Sequence, residues 1–139
     1  MKFKSKKLTA LCCVVALMFT FAIPAFASSY GYDYTFSGSG ESWGVPSTYY
    51  SKEDNEQDVY LSIHDSSNWR KGVDRVYLWV QFSNNAERTS SSRYFTDYVT
   101  DAKLHYTTYT AQGNKCGLAG WHNNNNISKT FSVGGLWTP

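Results

Sequence analysis

The chain has 139 residues, 42% of them hydrophobic and 17% aromatic, with 13 Lys and Arg against 11 Asp and Glu for a formal charge of +2. Low net charge with abundant rings excludes an intrinsically disordered chain, which is poor in aromatics and strongly charged. The length suits one domain, and its scattered cations form no basic stripe, so no nucleic-acid partner is expected.

The first element is an export leader. Lys2, Lys4, Lys6 and Lys7 precede an apolar run over residues 8–23 broken only by Thr9 and Thr20, and Pro24 ends any helix there. Ala25-Phe26-Ala27 sets small residues where signal peptidase reads them, so the pattern predicts a helical, cleavable signal peptide over 1–27, cut between Ala27 and Ser28. A membrane anchor is the rival, but a spanning helix needs ~20 apolar residues, and no stable span is expected after cleavage. Lipoprotein processing at Cys12 or Cys13 fails on position, and Leu11 stands where a small residue is needed. Cleavage removes four of the cations and none of the acids, leaving nine against eleven and a charge of −2. The remaining residues, 28–139, read as a single β domain placed outside the cell, secreted or associated with the wall. It keeps one cysteine, Cys116, so no internal disulfide can form, and the apolar flanks of Cys116 predict burial.

Residues 28–139 hold 14 Val, Ile and Leu against 20 aromatics, which predicts a largely aromatic core. Alternation with period two marks the strands. Tyr32, Tyr34 and Phe36 share one face before Gly38-Ser39-Gly40. The stretch 41–56 is less patterned, with Tyr49-Tyr50 a candidate edge strand. Val59, Leu61 and Ile63 form the face of a second clear strand. In the strongest, Val76, Leu78, Val80 and Phe82 face one way and Tyr77, Trp79 and Gln81 the other. Large side chains on both faces predict a central strand, ended by Ser83-Asn84-Asn85. Residues 94–99 and 102–109 read as two further strands, since Thr and Tyr favour sheet. A strand over 116–121, a turn at 123–126 and a last strand from Lys129 to Trp137 complete the chain. About seven short strands with no helix after the leader predict an all-β fold, an antiparallel β-sandwich or a small barrel.

The C-terminal motifs carry a resemblance. Gly117-Leu118-Ala119-Gly120-Trp121-His122, the Asn123 to Asn126 run and Ser132-Val133-Gly134-Gly135-Leu136-Trp137 resemble the ending of a domain-of-unknown-function family of small exported proteins from Gram-positive bacteria. Members of that family show a strand, an Asn-rich turn and a terminal Ser-Val-x-Gly-x-Trp strand. The resemblance implies export and a β fold, and it implies no activity and no catalytic residues. Trp43-Gly44 is faintly similar to secreted bacteriocins of the lactococcin 972 type.

Candidate chemistry is sparse. His64, His105 and His122 are not spaced as metal ligands usually are and have no cysteine pair beside them, so they read as surface or strand-face histidines. Pairing Cys116 with His105 or His122 would make a nucleophile and base, but Cys116 lacks the helix start that activates such a thiol, and no serine sits in a Gly-x-Ser-x-Gly elbow. Asp54, Glu56 and Asp58 echo the alternate ligands of a calcium loop, yet an EF-hand needs glycine and glutamate where Val59 and Asp65 stand. A solvated acidic turn is the default, and nothing selects a glycosidase pair among the carboxylates. No catalytic residue, cofactor or metal is therefore predicted, and the reading is non-enzymatic.

The aromatic excess has positive content, because Tyr and Trp give flat, rigid contact area. Trp43, Trp69 and Trp121 lie near predicted turns and are the candidate binding surface, whereas Trp79, mid-strand, is expected in the core. The preferred reading is an exported domain that binds a cell-wall component or another protein through exposed aromatics. The alternative is a bacteriocin-like or toxin-like secreted effector.

Overall fold

The structure, a computed structural model, describes residues 28–37, 40–83, 88–123 and 129–139. The expected leader over 1–27, the turn residues Gly38, Ser39, Asn84 and Asn85, and Asn124 to Asn126 of the Asn-rich turn lie outside the described residues. Nine strands appear among the described residues: β1 Tyr30–Phe36, β2 Glu41–Gly44, β3 Tyr50–Ser51, β4 Asp58–Ser67, β5 Val76–Phe82, β6 Arg93–Phe95, β7 Val99–His105, β8 Lys115–Asn123 and β9 Phe131–Thr138. They pair into two antiparallel sheets, one in the order β1-β9-β4-β7 and the other in the order β2-β8-β5-β6, with β3 also on β8.

The count exceeds the seven read from the sequence because β2 and β3 have only 4 and 2 residues, too few for alternation to show. Tyr50 and Ser51 do form an edge strand, opposite Cys116 and Lys115. The strands expected over 94–99 and 102–109 shift. Gly72 donates its N–H to the Thr96 carbonyl and the Asp97 carboxylate accepts the Tyr98 N–H at 2.7 Å, which turns the chain between β6 and β7. Asp101 then takes a left-handed φ of 51° inside β7, a conformation that aspartate tolerates better than most residues. It sits where β4 slips register between Leu61 and Ile63, and Ser62 Oγ accepts its N–H at 3.0 Å.

A second slip in β4, between Ile63 and Asp65, explains a glycine in β9. A Cβ on Gly135 would stand 1.9 Å from the Ser62 carbonyl oxygen, so only glycine lets the two backbones meet there.

Both sheets contribute to one core, and its composition departs from the sequence reading. Of the 18 buried residues in that cluster, seven are aromatic (Tyr34, Phe36, Trp69, Phe95, Tyr106, Phe131 and Trp137), ten are aliphatic and the last is Cys116. The few Val, Ile and Leu residues are concentrated inward, where branched side chains pack well on a pleated surface. Thirteen of the 20 aromatics consequently stand outside the core cluster, and where they stand locates the candidate site. No helix among the described residues is long and apolar enough to cross a membrane.

Candidate functional site

β5 separates two environments. Val76, Leu78 and Val80 are fully buried in the shared core, while Tyr77, Trp79 and Gln81 alternate onto the opposite face of the second sheet. Residues directly opposed in an antiparallel pair share a face, so register assembles that outer face. Trp43 on β2 opposes Trp121 on β8, Trp121 opposes Tyr77 on β5, and Tyr77 opposes Tyr94 on β6. One aromatic row therefore crosses all four strands, roughly 14 Å from end to end at the usual strand spacing. Successive ring centroids lie 6.0, 5.0 and 5.9 Å apart.

Glycine on the inner face permits the arrangement. Gly44 and Gly120 oppose each other next to Trp43 and Trp121, and a Cβ on either would press on the Tyr34 ring, at 2.7 and 3.3 Å. Tyr34 fills this space and donates its hydroxyl to the Leu118 carbonyl. The same two strand segments thus admit a core ring on one side and carry two indoles on the other.

Trp79 adds a corner to the row. Its ring meets Trp43 edge to face, 6.0 Å away with planes at 86°, and its cross-strand partner is the small Ala119. The Arg88 guanidinium lies 4.6 Å from the Trp79 ring, a cation–π contact. Between these groups opens a cleft of about 360 Å³, lined by Trp43, Tyr77, Trp79 and Trp121 with Glu41, Arg88 and Ser92. Trp43 is 58% exposed and Tyr94 53%. Trp121 is half-buried, and its indole N–H is covered with no hydrogen-bond partner among the described residues, which costs about 1–3 kcal/mol relative to a paired donor.

Of the three tryptophans expected at a binding surface, the structure brings Trp43 and Trp121 together and removes Trp69. Asn68 turns the chain with a φ of 54°, which folds Trp69 into the core at 7% exposure, where its Nε1–H donates to the Asp74 carbonyl at 3.0 Å. The buried Asp74 carboxylate accepts the Arg70 backbone N–H and both Nε and Nη2 of its guanidinium, bracing the turn. Trp79 is buried as expected, at 5% exposure, but it lies outside the contiguous core cluster, with its ring against Trp43 and the Arg88 guanidinium. Sequence reading missed Tyr77, Tyr94, Glu41, Arg88 and Ser92. Only the pairing register shows that Tyr77 and Tyr94 share a row with the two tryptophans.

The other candidates disperse. Asp54 accepts the buried Lys52 ammonium at 2.6 Å and the Glu56 N–H at 2.9 Å, Glu56 accepts the Tyr60 hydroxyl at 2.6 Å, and Asp58 accepts Lys103 at 2.8 Å. The three carboxylates that echoed a calcium loop are thus tied to different partners, and no His, Cys, Asp and Glu cluster able to hold a metal occurs among the described residues. His105 sits 2.9 Å from Asp58 and, with Lys103, holds the Asp58 carboxyl below its usual range. His64 is exposed. His122, read as a surface or strand-face residue, is fully buried against Phe36 and Phe131, with Nδ1 2.8 Å from the Arg75 carbonyl.

Cys116 is buried, and burial pushes its thiol pKa up, the reverse of what a nucleophile needs. His122 lies six residues along the same strand, roughly 20 Å away, and cannot act as its base. The cations of the 70–75 loop are also occupied: Arg70 by Asp74, Lys71 by the Tyr98 ring at 3.2 Å, and Arg75 by the Tyr94 ring at 5.2 Å. The chain matches no family model, no curated protein and no solved structure, so the geometry of the aromatic row carries the functional argument.

Proposed function

We propose that the chain is an exported domain, with its two sheets face to face as a sandwich, that acts by binding a cell-envelope component or a partner protein through the aromatic row. The observation that carries this reading is the row itself: four rings in register across one sheet face, with a cleft at one end and two rings more than half exposed. Such rings expose apolar area to water, and contiguous apolar patches of this kind mark interaction sites. Packing does not explain them, because the core closes on its other side without them.

Export draws further support from the start of the domain. The Ser28 nitrogen lies 2.8 Å from Glu53 Oε2, whose other oxygen accepts the Tyr30 hydroxyl at 3.1 Å. Cleavage between Ala27 and Ser28 would leave that nitrogen as an ammonium beside the same carboxylate, so the cut form can keep the contact. The likeness of the C-terminal segment to small exported proteins points the same way.

The test is retention of the protein on purified cell wall and on whole cells. Wild-type protein is expected to be retained, and Trp43→Ala to lose at least tenfold in retention while its circular dichroism stays unchanged. Equal retention of the two proteins would refute the reading.

A further inference from the structure

We propose that the occupant of the cleft is a glycan, held as one or two pyranose rings against Trp43 and Trp121. This rests on the binding reading above and names its ligand class. The cleft, about 360 Å³, is at the small end of ligand sites, and its walls are of two kinds. Trp43 stands at 86° to Trp79 and 42° to Trp121, so the rings form a corner that offers faces to an apolar surface. Around that corner stand a carboxylate, Glu41, and a guanidinium, Arg88, neither with an ion-pair partner among the described residues, together with the Ser92 hydroxyl.

Few ligand chemistries meet both kinds of wall. An alkyl chain would cover the rings and give the exposed carboxylate and guanidinium beside them nothing to pair with. A quaternary ammonium suits an aromatic cage, but here the Trp79 face already holds the Arg88 guanidinium, at 4.6 Å, and like charge repels. A peptide binding by strand addition gains its affinity from free main-chain groups. This cleft lies on a sheet face, where β8 and β5 have already paired theirs. A pyranose ring presents C–H groups on its faces and hydroxyls on its rim. The C–H face packs on an indole, whose quadrupole is negative at the face. Each hydroxyl both donates and accepts, so neighbouring hydroxyls serve Glu41 and Arg88 at once.

The experiment uses protein expressed from the full chain and two readouts. In the first, tryptophan fluorescence is titrated with chitotetraose, cellotetraose and peptide-free glycan strands, with choline and decaproline run in parallel. At least one glycan is expected to give a saturable change, weakened tenfold or more in Trp43→Ala and threefold or more in Glu41→Gln, with no saturable response to choline or decaproline. In the second, soluble glycan fragments released from the wall by a muramidase are expected to compete away the retention shown by intact wall. Retention that depends on Trp43 yet is not competed by those fragments, with no glycan response, would overturn the glycan proposal and leave the binding reading standing. A saturable response to choline or decaproline alone would overturn it in favour of that chemistry. Retention indifferent to Trp43 would remove both the proposal and the reading beneath it.

Discussion

The two faces of the second sheet are made by the same strands and use their side chains differently. Toward the core, Val76, Leu78, Val80, Cys116 and Leu118 are sealed from water, and Gly44 and Gly120 give way to the Tyr34 ring. On the outer side the same strands present Trp43, Trp121, Tyr77 and Tyr94, whose exposure is graded and whose charged neighbours Glu41 and Arg88 have no ion-pair partner among the described residues. Aliphatic residues thus close the interior, and rings are set where a solvent-exposed surface must be rigid and sticky. Residue size does not tell the two roles apart: Trp69 and Trp137 serve the interior, Trp43 and Trp121 the exterior.

The largest effect should come from the inner face. Leu78→Ala empties a fully buried site and is expected to cost about 3 kcal/mol in urea unfolding, a large part of the stability of a small domain. A loss well under about 1 kcal/mol would deny that this face is the core. Cys116 sharpens the same point, because a buried thiol with a raised pKa should react with a thiol reagent only after denaturation. Rapid labelling of native protein would place it at a surface.

Trp79 should fall between the faces. Trp79→Ala is expected to cost about 2 kcal/mol, less than a sealed tryptophan of a core, since the void it leaves opens toward Trp43 and the solvent. A loss equal to or beyond that of Leu78→Ala would return Trp79 to the core, where sequence reading alone had put it.

A smaller, pH-dependent effect should leave both faces untouched. Lys103 and His105 hold Asp58 below its usual range, and the Ser28 N–H and Tyr30 hydroxyl do the same for Glu53. Carboxyls depressed in the folded state contribute stability above about pH 4, their unfolded range, and that contribution is lost as pH falls through the lower folded value. Asp58→Asn should therefore be slightly less stable at pH 7 and lose less stability between pH 4 and 2 than the parent. Parallel acid limbs for the two proteins would show that Asp58 is not coupled to folding.

Period-two alternation made β1, β4 and β5 legible in the sequence, and with them the all-β class. It failed at β2 and β3, where four and two residues carry no period, and the strands expected over 94–99 and 102–109 shifted to β6 and β7, where the turn at 96–98 and the left-handed Asp101 interrupt the pattern. The site was legible in part. Trp43 and Trp121 could be singled out as rings beside turns, but Trp69 looks the same by that criterion, and only the fold of the 68–74 turn separates it. The row needed register, a long-range property: Trp43 and Tyr94 lie 51 positions apart in sequence and share a face only because β8 and β5 pair between them.

The central claim is that the aromatic row is a surface the fold carries and does not depend on. Chemical denaturation of Trp43→Ala against the parent tests it most directly. Trp43 is 58% exposed and touches Trp79 and Trp121 only at ring contacts of 6.0 Å, each worth about 0.5–1.5 kcal/mol at most. The two contacts together set an expected loss of about 1–2 kcal/mol, below the upper sum because Trp43 is more than half exposed, with an unchanged denaturant slope. A loss of about 3 kcal/mol or more, comparable to Leu78→Ala, would show that the row holds the sheet together and would contradict the account.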